Sequence, residues 1–296
     1  MSTIAQPASL GRRRRRWEGL PYWLILPTVA YLALFFAWPM IQAFELAFHQ
    51  DGVWTVAPFR TMMDDIAFDQ AFRFTVLLIV ILVPAQFLLA LAMALLVNAK
   101  LKGSGLFLYF FLLPLAISDL AAGIVWSSIF TERGYLNTVL EKVGLIDQAF
   151  IWIDPSRESL LLFAVVTAEI WRSTALMMII LVAGLQSIPR DYGEAAEVFG
   201  AGFLQRVRYV TLPLLKPAVQ VALLLRIILA FEVFSTVIAI TGQGSTVLAA
   251  EAWRWQTSYM DENVAAAYAS LILVLSLVSA ALVLRFLRTP RERLLR

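Results

Sequence analysis

Six apolar runs, each long enough to cross a bilayer as a helix, set the limits on what this chain can become. An α-helix rises about 1.5 Å per residue, so about 20 residues span a hydrocarbon layer of about 30 Å. Runs of that length lie near Tyr22–Phe44, Phe74–Val97, Leu106–Phe130, Leu160–Leu181, Leu214–Ile240 and Val264–Phe286. They predict an all-α integral membrane protein with six transmembrane helices in one bundle, a single domain over 1–296. Pro27, Pro39, Pro84 and Pro114 fall inside these runs, which membrane helices tolerate because neighbouring helices satisfy the freed backbone groups. The composition agrees. The chain is 60% hydrophobic and 15% charged, whereas a soluble domain carries about 25% charged residues to cover its surface.

Lys and Arg favour the cytoplasmic side of a membrane protein, so their placement predicts orientation. The N-terminus carries an unbroken run from Arg12 to Arg16, and the C-terminal tail carries Arg285, Arg288, Arg291, Arg293 and Arg296. Both ends, 1–20 and 287–296, are therefore expected in the cytoplasm, which requires an even number of spans. The loop with Lys100 and Lys102 falls on the same side, as does the longer loop 186–213 with Arg190, Arg206 and Arg208. The segments Asp51–Asp69, Glu132–Glu158 and Gly242–Glu262 are richer in acids and fall outside. An arginine run before an apolar stretch can also open a secretory signal. Here the stretch is too long for a signal core and no small-residue cleavage pattern closes it, so a retained anchor is predicted. Placed directly before a span, the same run reads as a topology signal, and no nucleic-acid partner is expected.

Several chemistries lack their residues. There is no cysteine and one histidine, His49, expected as a solvated loop residue. Neither a His/Cys metal centre nor a Ser–His or Cys–His triad can be assembled from that inventory. No Gly-x-x-x-x-Gly-Lys-Ser/Thr phosphate loop occurs, so the chain is not expected to hydrolyse ATP itself or to hold a cofactor.

Charged residues do occur inside the predicted spans: Asp119, Glu169, Arg172, Arg226 and Glu232. Charges at that depth are costly and tend to face a bundle interior or a wet cavity. Asp119, Arg172 and Arg226 fall near mid-membrane, and Glu169 and Arg172 share a helix face at i, i+3. Together with Trp171 they are candidates for a polar substrate path, since hydroxyls suit carboxylates and guanidinium groups. An internal salt bridge that locks helices, or a contact to a partner subunit, fits the same residues equally well. Trp253, Trp255 and Tyr259 in the last outer segment fit an interfacial aromatic belt or a partner contact.

The most specific stretch is the loop after the fourth run, Gln186-Ser187-Ile188-Pro189-Arg190-Asp191-Tyr192-Gly193-Glu194-Ala195-Ala196-Glu197-Val198-Phe199-Gly200. Pro189 suits a helix start, and Asp191 and Glu194 suit its positive N-terminal end. Ala195 and Ala196 leave room for close approach of another surface, and Gly200 is placed to end the helix. A second amphipathic helix is expected up to Leu212-Pro213, where the next span begins.

Glu194-Ala195-Ala196, Gly200, Val210 and Leu212-Pro213 resemble, with spacing intact, the signature loop of permease subunits of binding-protein-dependent ABC importers. Val210 stands where isoleucine is usual. The likeness extends through Leu20-Pro21-Tyr22 to Phe48, through Leu95–Gly103, through Ala183–Pro189, and through Thr241-Gly242-Gln243-Gly244, where the usual proline is missing. These features are most similar to the carbohydrate-uptake permeases of the maltose-F, trehalose and glycerol-phosphate type. The resemblance implies a type I ABC importer permease fold and a transport subunit rather than an enzyme. It implies a second permease subunit, two ATPase subunits that bind ATP and Mg, an extracytoplasmic solute-binding protein, and the bacterial cytoplasmic membrane. It implies that Glu194, Ala195, Ala196, Gly200, Leu212 and Pro213 couple to the ATPase. The expected solute is a di- or oligosaccharide such as trehalose or maltose, with glycerol phosphate as the alternative, because a phosphate would suit Arg172 or Arg226. An ion-driven secondary transporter would use the intramembrane carboxylates but leaves the loop unexplained. Against an intramembrane enzyme stands the absence of any histidine in the spans and of a plausible metal set.

Overall fold

The computed structural model describes residues 20–50, 52–99, 102–242 and 246–287. The Arg12–Arg16 run, Lys100, Gln243, Gly244 and the tail from Arg288 lie outside the described residues. Helix α1 (Leu20–Leu32) passes through a π-turn at Ala33–Ala37 into α2 (Trp38–Phe48). A two-residue hairpin, β1 (His49–Gln50) against β2 (Val53–Trp54), leads to α3 (Ala57–Met63) and α4 (Phe68–Asn98). Helices α5 (Ser104–Leu112), α6 (Asp119–Phe130), α7 (Tyr135–Lys142) and α8 (Glu158–Gln186) follow. The chain continues through α9 (Asp191–Val198), α10 (Phe203–Arg206) and α11 (Leu212–Phe231). It ends in α12 (Ser235–Thr241), α13 (Leu248–Thr257) and α14 (Glu262–Phe286).

Five helical runs are long and apolar enough to cross a membrane, among them Tyr22–Phe48, Phe68–Asn98 and Glu158–Gln186. The third expected span is not continuous. Ser104–Ala116 and Asp119–Lys142 meet at 98°, so the count reaches six only if this bent pair is one span. The cause is local. Pro114 offers no N–H to continue the helix, the chain tightens into a 3₁₀ turn at Leu113–Ala116, and Ile117 is extended. Ser118, also extended, then accepts the Ala121 N–H on its Oγ at 3.3 Å and starts α6 as its N-cap. The fifth span likewise stops short of Ile240. Helix α11 ends at Phe231, Glu232 caps it, and Phe234 leaves helical geometry before α12 begins. Glu232 is therefore exposed at a helix end rather than inside a span. His49 is half-buried rather than solvated, with its ring 5.6 Å from that of Trp54.

Helix α4 packs along α8. Its inward stripe recurs every fourth residue: Phe74, Leu78, Leu82, Gln86, Ala90 and Ala94, all completely buried. That spacing is the i±4 ridge by which helices interlock. The large residues contribute to an apolar core far from loop 186–213, called outer for that reason alone, with Leu161, Val165 and Val237. The two alanines join Met177, Met178, Leu181 and Leu215 in an inner one. Gly184 belongs to the inner level, where a Cβ would overlap Ala218 and lie 2.8 Å from Leu215 Cδ1. Gly184→Val should force α8 and α11 apart and lower stability by about 1–3 kcal/mol, the usual cost of overpacking. Thermal unfolding in detergent measures it, and an unchanged midpoint would contradict the close packing.

Two polar anchors hold the end of the bundle far from loop 186–213. Asn137 is buried and its amide donates to the carbonyls of Glu132 (2.9 Å) and Phe150 (2.8 Å). Its oxygen accepts from Trp152 Nε1 (2.9 Å) and the Phe150 N–H (3.3 Å). Asp65 accepts from Trp255 Nε1 (2.9 Å) and the Tyr268 hydroxyl (3.0 Å), tying the α3–α4 turn to α13 and α14. Trp255 is thus partly buried and hydrogen-bonded, whereas Trp253 and Tyr259 are exposed. In α13, burial raises the Glu251 carboxyl above its ordinary value, against Thr246 and Arg254, which favour its charged form.

Candidate functional site

Two constellations carry the charged residues singled out in the sequence. The first separates the two apolar cores as a polar layer. Helix α8 presents Glu169, Arg172 and Ser173 between Ala168 of the outer core and Met177 of the inner one. Gln86 interrupts the α4 stripe at the same level, and Arg226 rises from α11. Asp119 begins α6 and Thr236 lies in α12. The break after Phe231 thus places a hydroxyl against this layer.

The hydrogen bonds close on one another. Arg226 donates from Nε to Gln86 Oε1 and from its terminal nitrogen to Glu169 Oε2 at 3.1 Å. Gln86 Nε2 donates to the Glu169 carbonyl at 2.8 Å. The Glu169 carboxylate also accepts from Thr236 (2.7 Å) and Ser173 (3.1 Å). Arg172 lies 3.7 Å from Glu169 but forms its tighter pair with Asp119, at 2.7 Å. Thr236 Oγ1, whose one hydrogen goes to Glu169, also lies 3.3 Å from the Asp119 carbonyl oxygen. Two arginines therefore balance two carboxylates across α6, α8 and α11, a neutral set that avoids the cost of an unpaired charge.

Burial grades across this set. Glu169 and Arg226 are sealed, the Arg172 side chain is 15% exposed, and that of Asp119 is 46% exposed. Arg172 Nε is buried without a hydrogen-bond partner among the described residues. The Trp126 ring of α6 and the Trp171 ring of α8 meet edge to face at 6.0 Å. The structure brings together Asp119, Glu169, Arg172 and Arg226, with Trp171 next in sequence to Arg172; among the described residues Glu232 takes no part in their hydrogen bonds or ion pairs. Sequence reasoning missed Gln86, Ser173 and Thr236, because neutral polar residues in an apolar run give no charge signal. The four-residue stripe on α4, polar only at Gln86, was the available clue.

The second constellation is the signature loop. Arg190 precedes α9, and Asp191 and Glu194 occupy its first turn. The helix ends as expected at Gly200, which takes φ +80° in the left-handed region. The Gly200 N–H bonds to the Glu197 carbonyl at 2.8 Å, and the Ala201 N–H reaches back to Ala196 at 2.9 Å, a glycine C-cap. Helix α10 then starts at Gly202, whose N–H donates to Gln205 Oε1 at 2.9 Å. Glu197 pairs with Arg206 and fixes α9 against α10. Glu194 is exposed and makes no ion pair among the described residues; Ala195 is exposed and Ala196 half-buried. The loop leans over the inner end of α4 and bounds a cleft of about 790 Å³ lined by Asn98, Gln186, Arg190, Tyr192, Glu194 and Arg206. Leu212 and Pro213 open α11 directly behind it.

Among the described residues no group of three or more His, Asp or Glu side chains could hold a metal ion. Comparison with known proteins places this geometry in a family. The chain is 32% identical over 233 residues to the trehalose/maltose transport system permease protein of Thermococcus litoralis, covering 76% of this chain and 78% of that one. It is 31% identical over 279 residues to the sulfoquinovosyl glycerol transport system permease protein of Agrobacterium fabrum, covering 90% and 89%. In fold it is similar to a chain of a bacterial alginate ABC transporter solved in complex with an alginate pentasaccharide-bound periplasmic protein. The TM-score is 0.78 at 24% identity, over 93% of this chain and 98% of that one. Residues 86–291, which hold the polar layer and the signature loop together, match the binding-protein-dependent transport system inner membrane component, and the chain belongs to that family.

Proposed function

We propose that this chain is one of two permease subunits of an ATP-driven saccharide importer in a bacterial cytoplasmic membrane. It forms half of the translocation path. Two ATPase subunits, which bind ATP and Mg, engage it from the cytoplasm, and an extracytoplasmic solute-binding protein delivers the solute. The observation that carries this reading is the signature loop. Glu194 is displayed unpaired on a helix whose far end is pinned by Gly200 and the Glu197–Arg206 pair. A carboxylate held out on a braced helix with small neighbours suits insertion into a basic groove of another protein. Val198 and Phe199, 86% and 90% exposed, add apolar surface to the same face.

A di- or oligosaccharide such as trehalose or maltose is the solute this reading favours, in keeping with the solute named for the Thermococcus relative. A glycerol phosphate or related anion is the second reading. Sulfoquinovosyl glycerol, named for the Agrobacterium relative, is a sulfonate by its chemistry. The substrate path runs past Asp119, Arg172 and Trp171, the members of the polar layer that reach its open side.

Co-expression with the neighbouring subunits and purification in detergent tests the assembly. ATPase subunits should co-purify in stoichiometric amount, and their absence would favour an ion-driven carrier. Orientation is tested separately. A reporter active only outside the cytoplasm, fused after Arg296, should be silent, because both basic ends are retained inside. Strong activity there would require an odd number of crossings.

A further inference from the structure

At the end of the bundle far from loop 186–213, the last turn of α6, the segment 151–153 and the end of α12 bound a cleft of about 450 Å³. Ser127, Thr131, Glu132, Ile151, Trp152 and Ile240 are among its lining residues. Small-molecule sites occupy about 300–1,000 Å³. About 12 Å of α6 separates Ser127 here from Asp119 in the polar layer.

The walls are braced. The Gly134 N–H bonds to the Thr131 carbonyl at 2.8 Å, in a turn so tight that a Cβ on Gly134 would lie 2.5 Å from the Ile129 carbonyl oxygen. Asn137 ties the Glu132 carbonyl to that of Phe150. Trp152 is held by its Nε1 on Asn137 and by ring contacts with Phe130, Phe150 and Phe163 at 6.3, 4.7 and 6.2 Å. Because Asn137 takes the indole N–H, Trp152 offers the cleft carbon surface alone. The Thr131 hydroxyl gives its hydrogen to the Ser128 carbonyl at 3.0 Å and keeps its lone pairs. The Glu132 carboxylate is exposed and makes no hydrogen bond or ion pair among the described residues. No Lys, Arg or His is among the lining residues. Acceptors beside one aromatic wall suit a ligand that brings hydroxyl donors and an apolar face, the two sides of a sugar ring. An organic cation is held best among several ring faces, whereas Phe130, next to Trp152, is only 2% exposed.

We propose, resting on the saccharide-permease reading with loop 186–213 in the cytoplasm, that this cleft is a separate saccharide subsite at the extracytoplasmic mouth. The Glu132 carboxylate accepts hydrogen bonds from ring hydroxyls, and Trp152 backs the apolar face. Solute leaving the binding protein rests there before it moves along α6 to the polar layer.

The chain has no cysteine, so Ile151→Cys puts its one thiol in the cleft, at a position 53% exposed. The complete complex, with its second permease and ATPase subunits, is reconstituted in lipid vesicles without ATP or binding protein. A membrane-impermeant maleimide is added and labelling of this chain is followed. Trehalose or maltose at high millimolar concentration should slow labelling several-fold, and choline and glycerol phosphate should not. Val143→Cys, on the far side of α7 from the lining residues and 67% exposed, should label equally fast throughout. Adding Glu132→Gln to Ile151→Cys should raise the sugar concentration for half-protection about tenfold, since a hydrogen bond to a charged acceptor exceeds a neutral one by that order. Protection by neither sugar, in a complex that imports a saccharide, overturns the subsite and leaves the importer reading standing. So does protection by choline alone, or by sugar-free binding protein alone, which would make the cleft a docking surface for that protein. Protection unchanged by Glu132→Gln overturns the role given to Glu132. Import of amino acids or metal ions and of no saccharide overturns the saccharide reading itself, and the subsite with it.

Discussion

Arg226→Met should largely prevent accumulation of the folded protein. The substitution keeps an apolar stem in place but leaves the Glu169 carboxylate sealed in the bundle without its main counter-charge. Thr236 and Ser173 still donate to it, and Arg172 at 3.7 Å is already committed to Asp119. Breaking a buried ion pair from one side costs about 3–5 kcal/mol, whereas replacing both members is often near neutral. The double variant Glu169→Gln/Arg226→Met should therefore recover most of the lost stability. Yield of monodisperse protein and its unfolding midpoint in detergent measure both. Equal stability of the single variant and the wild type would mean that the polar layer does not hold α8 to α11.

The second large effect is expected at Glu194. Glu194→Ala should cut solute-stimulated ATP hydrolysis by the reconstituted complex at least tenfold. Removing one partner of a charge pair buried at an interface typically costs 2–5 kcal/mol, and an exposed pair under about 1 kcal/mol. Glu197→Ala provides the contrast. Its pair with Arg206 is intramolecular and its side chain is 56% exposed, so the loss should be much smaller. Gly200→Val belongs with Glu194→Ala, because a β-branched residue strains the left-handed geometry that ends α9. Wild-type stimulation in Glu194→Ala, with ATPase subunits bound normally, would show that this helix does not transmit the ATPase cycle.

The spans that run continuously were legible because their signal is local. Phe68–Asn98 and Glu158–Gln186 each contain an apolar run long enough to cross unaided. The signature loop was legible for the same reason, since Pro189, Gly200 and Pro213 act on their own neighbours. The break at Ile117 was written there too, in Pro114 followed by Ser118-Asp119, but the surrounding hydropathy hid it. What could not be read is partnership between helices. Glu169 and Arg172 share a face and do approach, yet each finds its closer ion on another helix, Arg226 or Asp119. Spacing along one chain does not say which helices become neighbours. Thr236 depends on both unforeseen breaks, because it reaches Glu169 and the Asp119 carbonyl only once α11 has ended early and α6 has restarted after its bend.

The bent third span also bears on how the chain enters the bilayer during synthesis. Helix α5 has 9 residues and α6 has 12, about 14 and 18 Å of helix against a layer of about 30 Å. Neither of these helices is long enough to cross alone, and the elbow between them exposes backbone that lipid cannot solvate. Its surroundings come later in the chain: α8 packs against the 3₁₀ turn and α6, and α12 lies along α6. The ribosome must therefore finish α12 before this segment has its full berth, and until then the elbow's backbone lacks the helices that cover it in the folded chain.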